Sequence, residues 1–449
     1  MAIAALFVVA ACGGDDSDTE ASGDSSSTAS EASTDSTEAV DEAEADGDDA
    51  VSISFASFGT DDEEIERQLI ANFENDNPDV SVDSIEYLAP GDYWTRMEAL
   101  AATGDLPCVM WMSSGFVEGW TNDGLLLDIQ QYVDDDINAD DYFTGTFDVA
   151  RNKATGNMHA FPFRFVETVL YYNIDAFEEA GVDLPSNNWT WDEYLDAARA
   201  LTVDENDDGL AEQYGMYFYG RYAHVESWIF NNGGSLLSAD GSTVEPDAAA
   251  VEALQFLSDQ INVEGVAPAP KEFDGVGNAE IFTQGFAAMW IDGSWNVGPF
   301  RDSADFDWGI APVPQGPSAS GPTAYGWPDL FAISSNCENP DEAWRLINYM
   351  TGPDRTNDLI SPGGIPVYKP LAEDPVFLEP DQLPANKDFL IEWAGYTGPT
   401  SFTPSWGEWR GYVDGAGFEG QMDLVFNGEA DLDDALDEAV EFANEVLNR

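Results

Sequence analysis

The chain has 449 residues, of which 87 are Asp or Glu, 15 are Lys or Arg and 2 are His, so its formal net charge is −72. A surface this acidic repels phosphate, which excludes nucleic acid and an anionic membrane surface as binding partners of the folded protein. Because 43% of the residues are apolar and 12% are aromatic, the chain is not disordered throughout, and its length allows two or three domains.

The chain begins with an apolar run, MAIAALFVVAA, which is shorter than the about 20 residues that a membrane-spanning helix needs. Small residues precede Cys12 and two glycines follow it. This pattern resembles a bacterial lipobox, so residues 1–12 are predicted to be a lipoprotein signal peptide in which the Cys12 thiol accepts the lipid. No Lys or Arg precedes the apolar run, which departs from that pattern. The alternative is a buried N-terminal strand that ends in an incidental Cys.

Residues 13–50 form a polar, acidic segment that contains 14 Asp or Glu and no Lys, Arg or aromatic residue. Such a segment cannot bury enough apolar surface to offset the entropy of ordering, and its like charges favour an extended chain. It is predicted to be a disordered tether. A lipid followed by such a tether places the folded part outside the cytoplasmic membrane and anchored to it, at the cell surface or in the periplasm.

Strand and helix patterns alternate from residue 51 onward. The predicted elements are a strand over 51–58, a helix from a capping box at 60–63 to about residue 77, a strand over 80–85, a helix over 93–102 and a strand over 108–112. This order predicts a largely parallel sheet with right-handed crossovers.

The same alternation continues in the second half of the chain. The predicted elements are a strand over 168–172, a helix from a capping box at 190–193 to about residue 201, a helix over 247–261, a strand over 287–291, a helix from 340 to 352 and a C-terminal helix over 428–449. With an extended Pro- and Gly-rich stretch at 312–322, this pattern indicates two lobes joined by crossing connections.

The most specific motif lies in residues 161–202. It comprises Pro162, Tyr171-Tyr172-Asn173, Asp175, Phe177, Ala180-Gly181 and the Thr190-Trp191-Asp192-Glu193 capping box. In this order these residues resemble the family 1 extracellular solute-binding proteins of ABC sugar transporters, the group that includes maltose-binding protein. Later segments also fit in order, among them MWIDGSW at 289–295 and GGIP at 363–366, and the similarity covers residues 50–449. Cys108 departs from the family, which usually has Asp there.

The resemblance implies an α/β, type II periplasmic-binding fold, in which two α/β lobes have a ligand cleft between them. Its topology implies an N-terminal lobe of residues 51–162 and 320–352 and a C-terminal lobe of residues 163–319 and 353–449. It also places the strand at 330–334 antiparallel to the strand at 108–112. Cys108 starts one of these strands and Cys337 follows the other, so both cysteines lie at the sheet edge that faces away from the cleft. A disulfide between these two residues is therefore expected, with two reduced thiols as the alternative.

The implied function is that of a substrate-binding protein of an ABC importer: a monomer, not an enzyme, that captures a carbohydrate by lobe closure and delivers it to the membrane permease. Aromatic rings pack against the C–H faces of a sugar, while carboxylate, amide and guanidinium groups bind its hydroxyls. The predicted ligand-binding residues, at strand ends and turns that face the cleft, are Phe58, Trp111, Ser113, Arg164, Trp228, Asp292, Trp295, Trp327, Asp329 and Arg410.

Alternatives remain open at this point. The same fold could bind an amino acid, a peptide or a polyamine, which predicts a charged pocket rather than one rich in Trp. A secreted glycosidase would need two carboxylates at a defined separation. Because the chain has 87 acidic residues, some will lie in such pairs in any fold, so a pair alone does not indicate this activity. For any single Trp the alternative is core packing, and for Arg164 it is an ion pair with one of the many acids.

Two further motifs concern cofactors. Asp204, Asn206, Asp208 and Glu212 resemble the start of a calcium loop, but the twelfth position is Gly215 rather than Glu, so an EF-hand is excluded and only a smaller Ca²⁺ site is expected. The spacing Gly415-x-Gly417-x-x-Gly420 matches a dinucleotide-binding fingerprint by letter, but it follows no predicted strand and is interpreted as chance. No other cofactor is predicted.

Overall fold

The structure is a computed structural model, and it describes residues 50–59, 62–206, 210–218, 222–353, 360–396, 398, 400–411 and 417–449. The predicted lipidation site Cys12, the tether up to residue 49, the helix cap at Thr60 and the dinucleotide-like Gly415 lie outside these residues. In this part of the chain, no helix combines the length and the apolar character that crossing a membrane requires.

Eight strands and seventeen helices build the described chain, together with five short 3₁₀ helices. The strands are β1 (Val51–Phe58), β2 (Val80–Leu88), β3 (Val109–Ser113), β4 (Ala160–Asn173), β5 (Met289–Gly293), β6 (Trp308–Ala311), β7 (Gly326–Ile333) and β8 (Ile365–Pro366). The first helices are α1 (Glu63–Asp76), α2 (Pro90–Thr103), α3 (Ser114–Asn122), α4 (Gln130–Asp136), α5 (Ile174–Ala180), α6 (Trp191–Leu201), α7 (Tyr222–Asn231) and α8 (Ala248–Asn262).

The remaining helices follow the second half of the chain. They are α9 (Asn278–Thr283), α10 (Val297–Ser303), α11 (Pro340–Thr351), α12 (Lys369–Ala372), α13 (Pro375–Leu378), α14 (Phe389–Trp393), α15 (Trp406–Arg410), α16 (Gly417–Phe426) and α17 (Leu432–Leu447). The 3₁₀ helices span Ala139–Asp141, Thr144–Ala150, Pro270–Phe273, Ser294–Asn296 and Ala394–Tyr396.

Local sequence signals explain several of these boundaries. The predicted capping box of α6 is present: the Thr190 hydroxyl accepts a hydrogen bond from the Glu193 N–H at 3.3 Å, and the Glu193 carboxylate accepts one from the Thr190 N–H at 2.9 Å. Helix α2 ends at Gly104, whose φ of 78° is a left-handed conformation that glycine adopts without strain. Pro340 begins α11, where a missing N–H costs no intrahelical bond.

The sheet has the strand order β2-β1-β3-β7-β4-β5, and β6 and β8 also pair with β4. Only β1–β2 and β1–β3 are parallel pairs, and the other five pairings are antiparallel. The parallel arrangement predicted from the order of the first three strands is confirmed, whereas β7 runs back between β3 and β4 and makes the rest of the sheet antiparallel. The expected antiparallel pairing near residue 330 is confirmed, since β3 pairs with β7 from Val109↔Ile333 to Ser113↔Asp329.

Strand β4 belongs to two parts of the sheet in turn. Its residues 160–167 pair with β7, which continues into β3 and β1, whereas its residues 168–173 pair with β5 and β6. The helices between β1 and β3 cover the first part, and those between β4 and β6 cover the second. The chain therefore forms two α/β lobes that share one long strand, as predicted, while the exact residue limits of the lobes stay a prediction.

Cys108 and Cys337 form a disulfide, with their sulfur atoms 2.16 Å and their Cα atoms 4.7 Å apart. Cys108 comes just before β3 and Cys337 follows β7, so the antiparallel pairing of these strands brings the two residues together. The bond joins positions 229 residues apart in sequence and ties the last third of the chain to its first third.

Candidate functional site

The strands that join the lobes have two chemically different faces. Side chains alternate along a strand, and residues directly opposite each other in an antiparallel pair share a face. Arg164 lies opposite Asp329 and Val166 opposite Trp327, and we call this the tryptophan face. Phe165 lies opposite both Pro328 and Ile365, and we call this the phenylalanine face.

Three aromatic rings meet on the tryptophan face. The ring of Trp327 has its centroid 5.8 Å from that of Trp295 and 5.4 Å from that of Tyr325. Trp295 is half-buried and follows the turn after β5. Its ring folds back over Gly293, where a Cβ atom would lie only 2.0 Å from the ring, so this turn requires glycine. The predicted pair Trp295 and Trp327 is thus brought together, with Trp295 partly accessible.

The charges on the tryptophan face belong mainly to one cluster. Arg164 donates from Nε to the Asp329 carboxylate at 2.8 Å and from Nη1 to the carboxylate of Asp62, which precedes α1. The ion pair considered as the alternative for Arg164 is therefore present in the structure. Because Arg164 is held by two carboxylates, a ligand would have to share it with them, and it stays a candidate contact only through its remaining N–H groups.

Asp292 and Ser113 lie at strand ends, as predicted, but both are engaged locally. The Asp292 carboxylate accepts hydrogen bonds from the Gly293 N–H at 2.7 Å and the Asn296 amide at 3.0 Å, and it lies 3.1 Å from His224 Nε2. Ser113 caps α3 and accepts a 3.4 Å hydrogen bond from the Gly115 N–H. These two side chains hold the turns around the tryptophan face in place, and their oxygen atoms are already engaged in local hydrogen bonds.

Phe58 and Trp111 form a second aromatic cluster, at the end of β1 and in the middle of β3. Their rings stack with centroids 4.4 Å apart and planes inclined by 18°. Trp111 is buried and Phe58 is half-buried. The Tyr93 hydroxyl donates to the Trp111 carbonyl oxygen at 2.6 Å and so ties α2 to the middle of β3. Phe58 is the member of this cluster that retains accessible surface for a ligand.

The structure does not support Trp228 and Arg410 as ligand contacts. Trp228 is fully buried and packs against Tyr194 and Phe256, with ring centroids 5.1 and 5.4 Å away. Arg410 is also fully buried, and its Nε lies 3.4 Å from a carboxylate oxygen of the equally buried Glu226. Both predictions failed because helix packing around α7 and α15 encloses these side chains.

Glu66 lies near the Arg164 cluster, on the first turn of α1. Burial raises the pKa of its carboxyl to about 8, with a further contribution from the negative charge of Asp62. One of its carboxylate oxygens is buried and has no hydrogen-bond partner among the described residues. The folded protein therefore favours the protonated form of Glu66.

A pH-dependent effect on stability follows from Glu66. Since its pKa is higher in the folded state, its stabilising contribution is complete below about pH 4.5 and is lost as the pH rises through about 8. Glu66→Gln removes this titration, so the variant should gain stability relative to the wild type between pH 5 and pH 8. Urea unfolding at several pH values measures the difference. A difference that does not change with pH would contradict the assignment.

A pocket of about 830 Å³ lies on the phenylalanine face. Phe165, Pro328 and Ile365 line its floor, residues from 114 to 153 form one wall, and residues from 391 to 403 form the other. Of the ten predicted ligand-binding residues, only Trp327 borders it. Sequence reasoning missed this pocket because its walls come from short helices and loops without a recognisable motif.

The predicted calcium loop is only partly described, since Asp208 lies outside the described residues. The Glu212 carboxylate accepts hydrogen bonds from the Asn206 amide at 2.9 Å and the Glu205 N–H at 2.8 Å. Within the residues that the structure covers, no group of three or more His, Cys, Asp or Glu side chains could hold a metal ion. The Ca²⁺ site stays a prediction without structural support.

Two α/β lobes that share a strand, with aromatic and charged groups on the strands between them, define a bilobed solute receptor. Residues 59–356 match the family of bacterial extracellular solute-binding proteins, and the chain belongs to this family. This membership confirms the predicted fold class and places the protein outside the cytoplasm. The known members compared with it are binding proteins rather than enzymes.

Individual relatives agree with this assignment. The chain is 24% identical over 364 residues to the galactooligosaccharide-binding protein of Bacillus subtilis, covering 78% of each chain. A solved structure of an ABC substrate-binding protein from Listeria monocytogenes in complex with cycloalternan superimposes with a TM-score of 0.79 at 21% identity, covering 89% of this chain and all of the other. A solute-binding protein from Thermotoga lettingae bound with α-D-tagatose gives a TM-score of 0.74 at 19% identity, with coverage of 89% and 100%.

Proposed function

We propose that this protein is the receptor of an ABC importer and captures a carbohydrate on the tryptophan face, between the two lobes. The observation that carries the proposal is the contact of the half-buried Trp295 with Trp327, whose ring planes are inclined by 52°, because the face of an indole ring matches the apolar face of a sugar ring. The three relatives described above are named for, or bound to, a galactooligosaccharide, cycloalternan and tagatose, which supports a carbohydrate over an amino acid, a peptide or a polyamine.

Binding on this face would favour closure of the lobes. Phe58 lies at the end of β1, whereas Trp295 follows β5 on the other side of the shared strand. A ligand can touch both Phe58 and Trp295 only when the lobes approach each other. It therefore binds the closed arrangement more tightly than the open one and stabilises the closed arrangement. The permease would then recognise the closed form. We assign residues 51–162 and 320–352 to one lobe and 163–319 and 353–449 to the other.

The remaining parts of the proposal concern the membrane and the chemistry. We propose that lipid on Cys12 anchors a monomeric receptor to the membrane and that residues 13–50 serve as its tether. A glycosidase is the weaker candidate, because Asp329 is held in an ion pair and Asp292 in local hydrogen bonds, which leaves neither carboxylate poised as a general acid.

Trp295→Ala should weaken carbohydrate binding about tenfold or more, since covering one aromatic side chain is worth about 1.5–3 kcal/mol. Isothermal titration calorimetry against a panel of galactooligosaccharides, maltooligosaccharides and cycloalternan would measure it. Phe286→Ala is the matched control, because Phe286 is an aromatic residue with 41% of its surface exposed, away from the tryptophan face. Equal affinity of Trp295→Ala and the wild type would refute this site, and a wild type that binds no member of the panel would refute the carbohydrate assignment.

A further inference from the structure

The few basic side chains of this protein are almost all neutralised. Of the 15 Lys and Arg residues, Arg221 and Arg355 lie outside the described residues. Among the other 13, 11 have a carboxylate oxygen within 4.0 Å. Within the described residues, only Arg151 and Lys369 make no such ion pair. In a chain with 87 acidic residues, two cations that lack a carboxylate partner call for an explanation.

Both of these cations border the pocket on the phenylalanine face. Arg151 donates from Nη1 to the Gln130 side-chain oxygen at 3.2 Å and to the Gly156 carbonyl oxygen at 2.9 Å. Lys369 donates to the Asp140 carbonyl oxygen at 2.9 Å, and its ammonium nitrogen lies 5.8 Å from the centre of the Phe143 ring. Neutral acceptors thus hold both side chains in place, and their other N–H groups make no hydrogen bond to any residue that the structure describes.

The charge of the pocket is opposite to that of the protein. Besides Arg151 and Lys369, its charged lining residues are Lys153, which pairs with Glu118 at 2.5 Å, and the exposed Asp148. Three positive and two negative groups leave the lining with a formal charge of +1, whereas the whole chain carries −72. A concave site of this sign inside a strongly negative protein favours an anion locally.

Apolar surface makes up much of the rest of the lining. The rings of Phe143, Phe165 and Phe402 and the side chains of Val149, Ile365 and Ile391 all border the pocket. A fully hydrated inorganic ion would gain nothing from these walls, whereas a molecule with an apolar body would bury surface against them. The combination suits a charged head near the two cations and an apolar body on the floor of the pocket.

We infer that this pocket is a second ligand site, on the face opposite the Arg164–Asp329 pair, which takes a small organic anion with an apolar body. A carboxylate, sulfonate or phosphomonoester head would bind Arg151 and Lys369 by charge-assisted hydrogen bonds. Trp327 borders this pocket as well, whereas the Arg164–Asp329 pair and the Trp295 ring do not. The test below leaves Trp327 unchanged, so this inference and the proposed carbohydrate binding can fail independently.

The test uses the full-length protein and two dyes with the same aromatic body. 8-Anilinonaphthalene-1-sulfonate carries the anionic head, and N-phenyl-1-naphthylamine lacks it. The wild type should bind the sulfonate with a saturable fluorescence increase at a stoichiometry of one. The double variant Arg151→Gln/Lys369→Gln should bind the sulfonate about tenfold more weakly, because it loses the charged hydrogen bonds to the anionic head. Its affinity for the neutral dye should stay within about twofold of the wild-type value, because the apolar walls are unchanged.

A charge-matched control separates the site from the overall field of the protein. Lys271→Gln/Arg449→Gln removes the same two charges from exposed positions and should leave the affinities for both dyes unchanged. Circular dichroism melting establishes that both double variants are folded. The inference is overturned if the control loses as much sulfonate affinity as the pocket variant, if both dyes weaken equally, or if the folded wild type does not bind the sulfonate. Carbohydrate titration of the pocket variant should match that of the wild type, which keeps this test separate from the proposed receptor function.

Discussion

Replacing Cys337 by Ser should lower the free energy of unfolding by about 2–5 kcal/mol, the usual effect of removing a native disulfide. The cross-link to Cys108 spans 229 residues, so it restricts the unfolded chain far more than a short loop would. It also joins the ends of two paired strands, β3 and β7, in the part of the sheet that β1 and β2 complete. Urea unfolding of the variant and the wild type, each monitored by Trp fluorescence, measures the loss.

A reductant provides the matched control for this cross-link. Dithiothreitol should lower the unfolding midpoint of the wild type and leave that of the double variant Cys108→Ser/Cys337→Ser unchanged. Non-reducing mass spectrometry of a protease digest would show the linked peptide directly. An unfolding midpoint of the wild type that is insensitive to the reductant would contradict a stabilising role for the bond.

Arg410→Met should destabilise the protein by about 3–5 kcal/mol, the typical result of removing one partner of a buried ion pair. Both Arg410 and Glu226 are fully buried, so the change would leave the Glu226 carboxylate without its counter-charge. Methionine preserves much of the apolar packing against Phe418, whose ring centre lies 4.8 Å from the guanidinium carbon. Equilibrium urea unfolding at neutral pH gives the change in free energy.

The double variant Glu226→Gln/Arg410→Met tests the physical cause. The neutral amide at position 226 can still accept the hydrogen bonds that Tyr325 and Ser401 donate at 3.0 and 2.5 Å. Most of the lost stability should therefore return, and a double-mutant cycle should show a coupling well above the about 0.5 kcal/mol found for independent sites. Additive losses would mean that packing rather than charge governs this position.

The sequence predicted the elements whose determinants are local. The α6 capping box at Thr190 and Glu193, the Pro340 start of α11 and the alternating strand β1 all formed as expected. Strand β4 extends eight residues further toward the N-terminus than the predicted strand at 168–172, because its first half is completed by pairing with β7, 150 or more residues away in the chain. Long-range pairing of this kind leaves no local signal.

In the candidate site, too, features with a local sequence signal were predicted and features that depend on long-range packing were not. Trp295 and Trp327 were selected by their positions next to strand ends, which are visible in the hydrophobic pattern, and their rings meet in the structure. Their role in ligand binding stays a proposal. Whether a Trp or Arg side chain points into a cleft or into a core depends on which helices pack over it. Trp228 and Arg410 were covered by such packing, and Arg151 and Lys369 were brought to one pocket from segments more than 200 residues apart.

The shared strand β4 changes its pairing partner at one point, where one half of the molecule passes into the other. Its pairing partner changes between Glu167, which pairs with β7, and Thr168, which pairs with β5. Rotation of one half of the molecule against the other would involve the backbone torsions of β4 around this point, together with those of the other two connections between the halves. Glu167 is fully buried there, burial raises the pKa of its carboxyl well above the usual range, and neither carboxylate oxygen has a hydrogen-bond partner among the described residues. The strand that both halves share thus carries, at the point where its pairing partner changes, a carboxyl group that burial keeps in the neutral, protonated form, so this point adds no negative charge to a chain of formal charge −72.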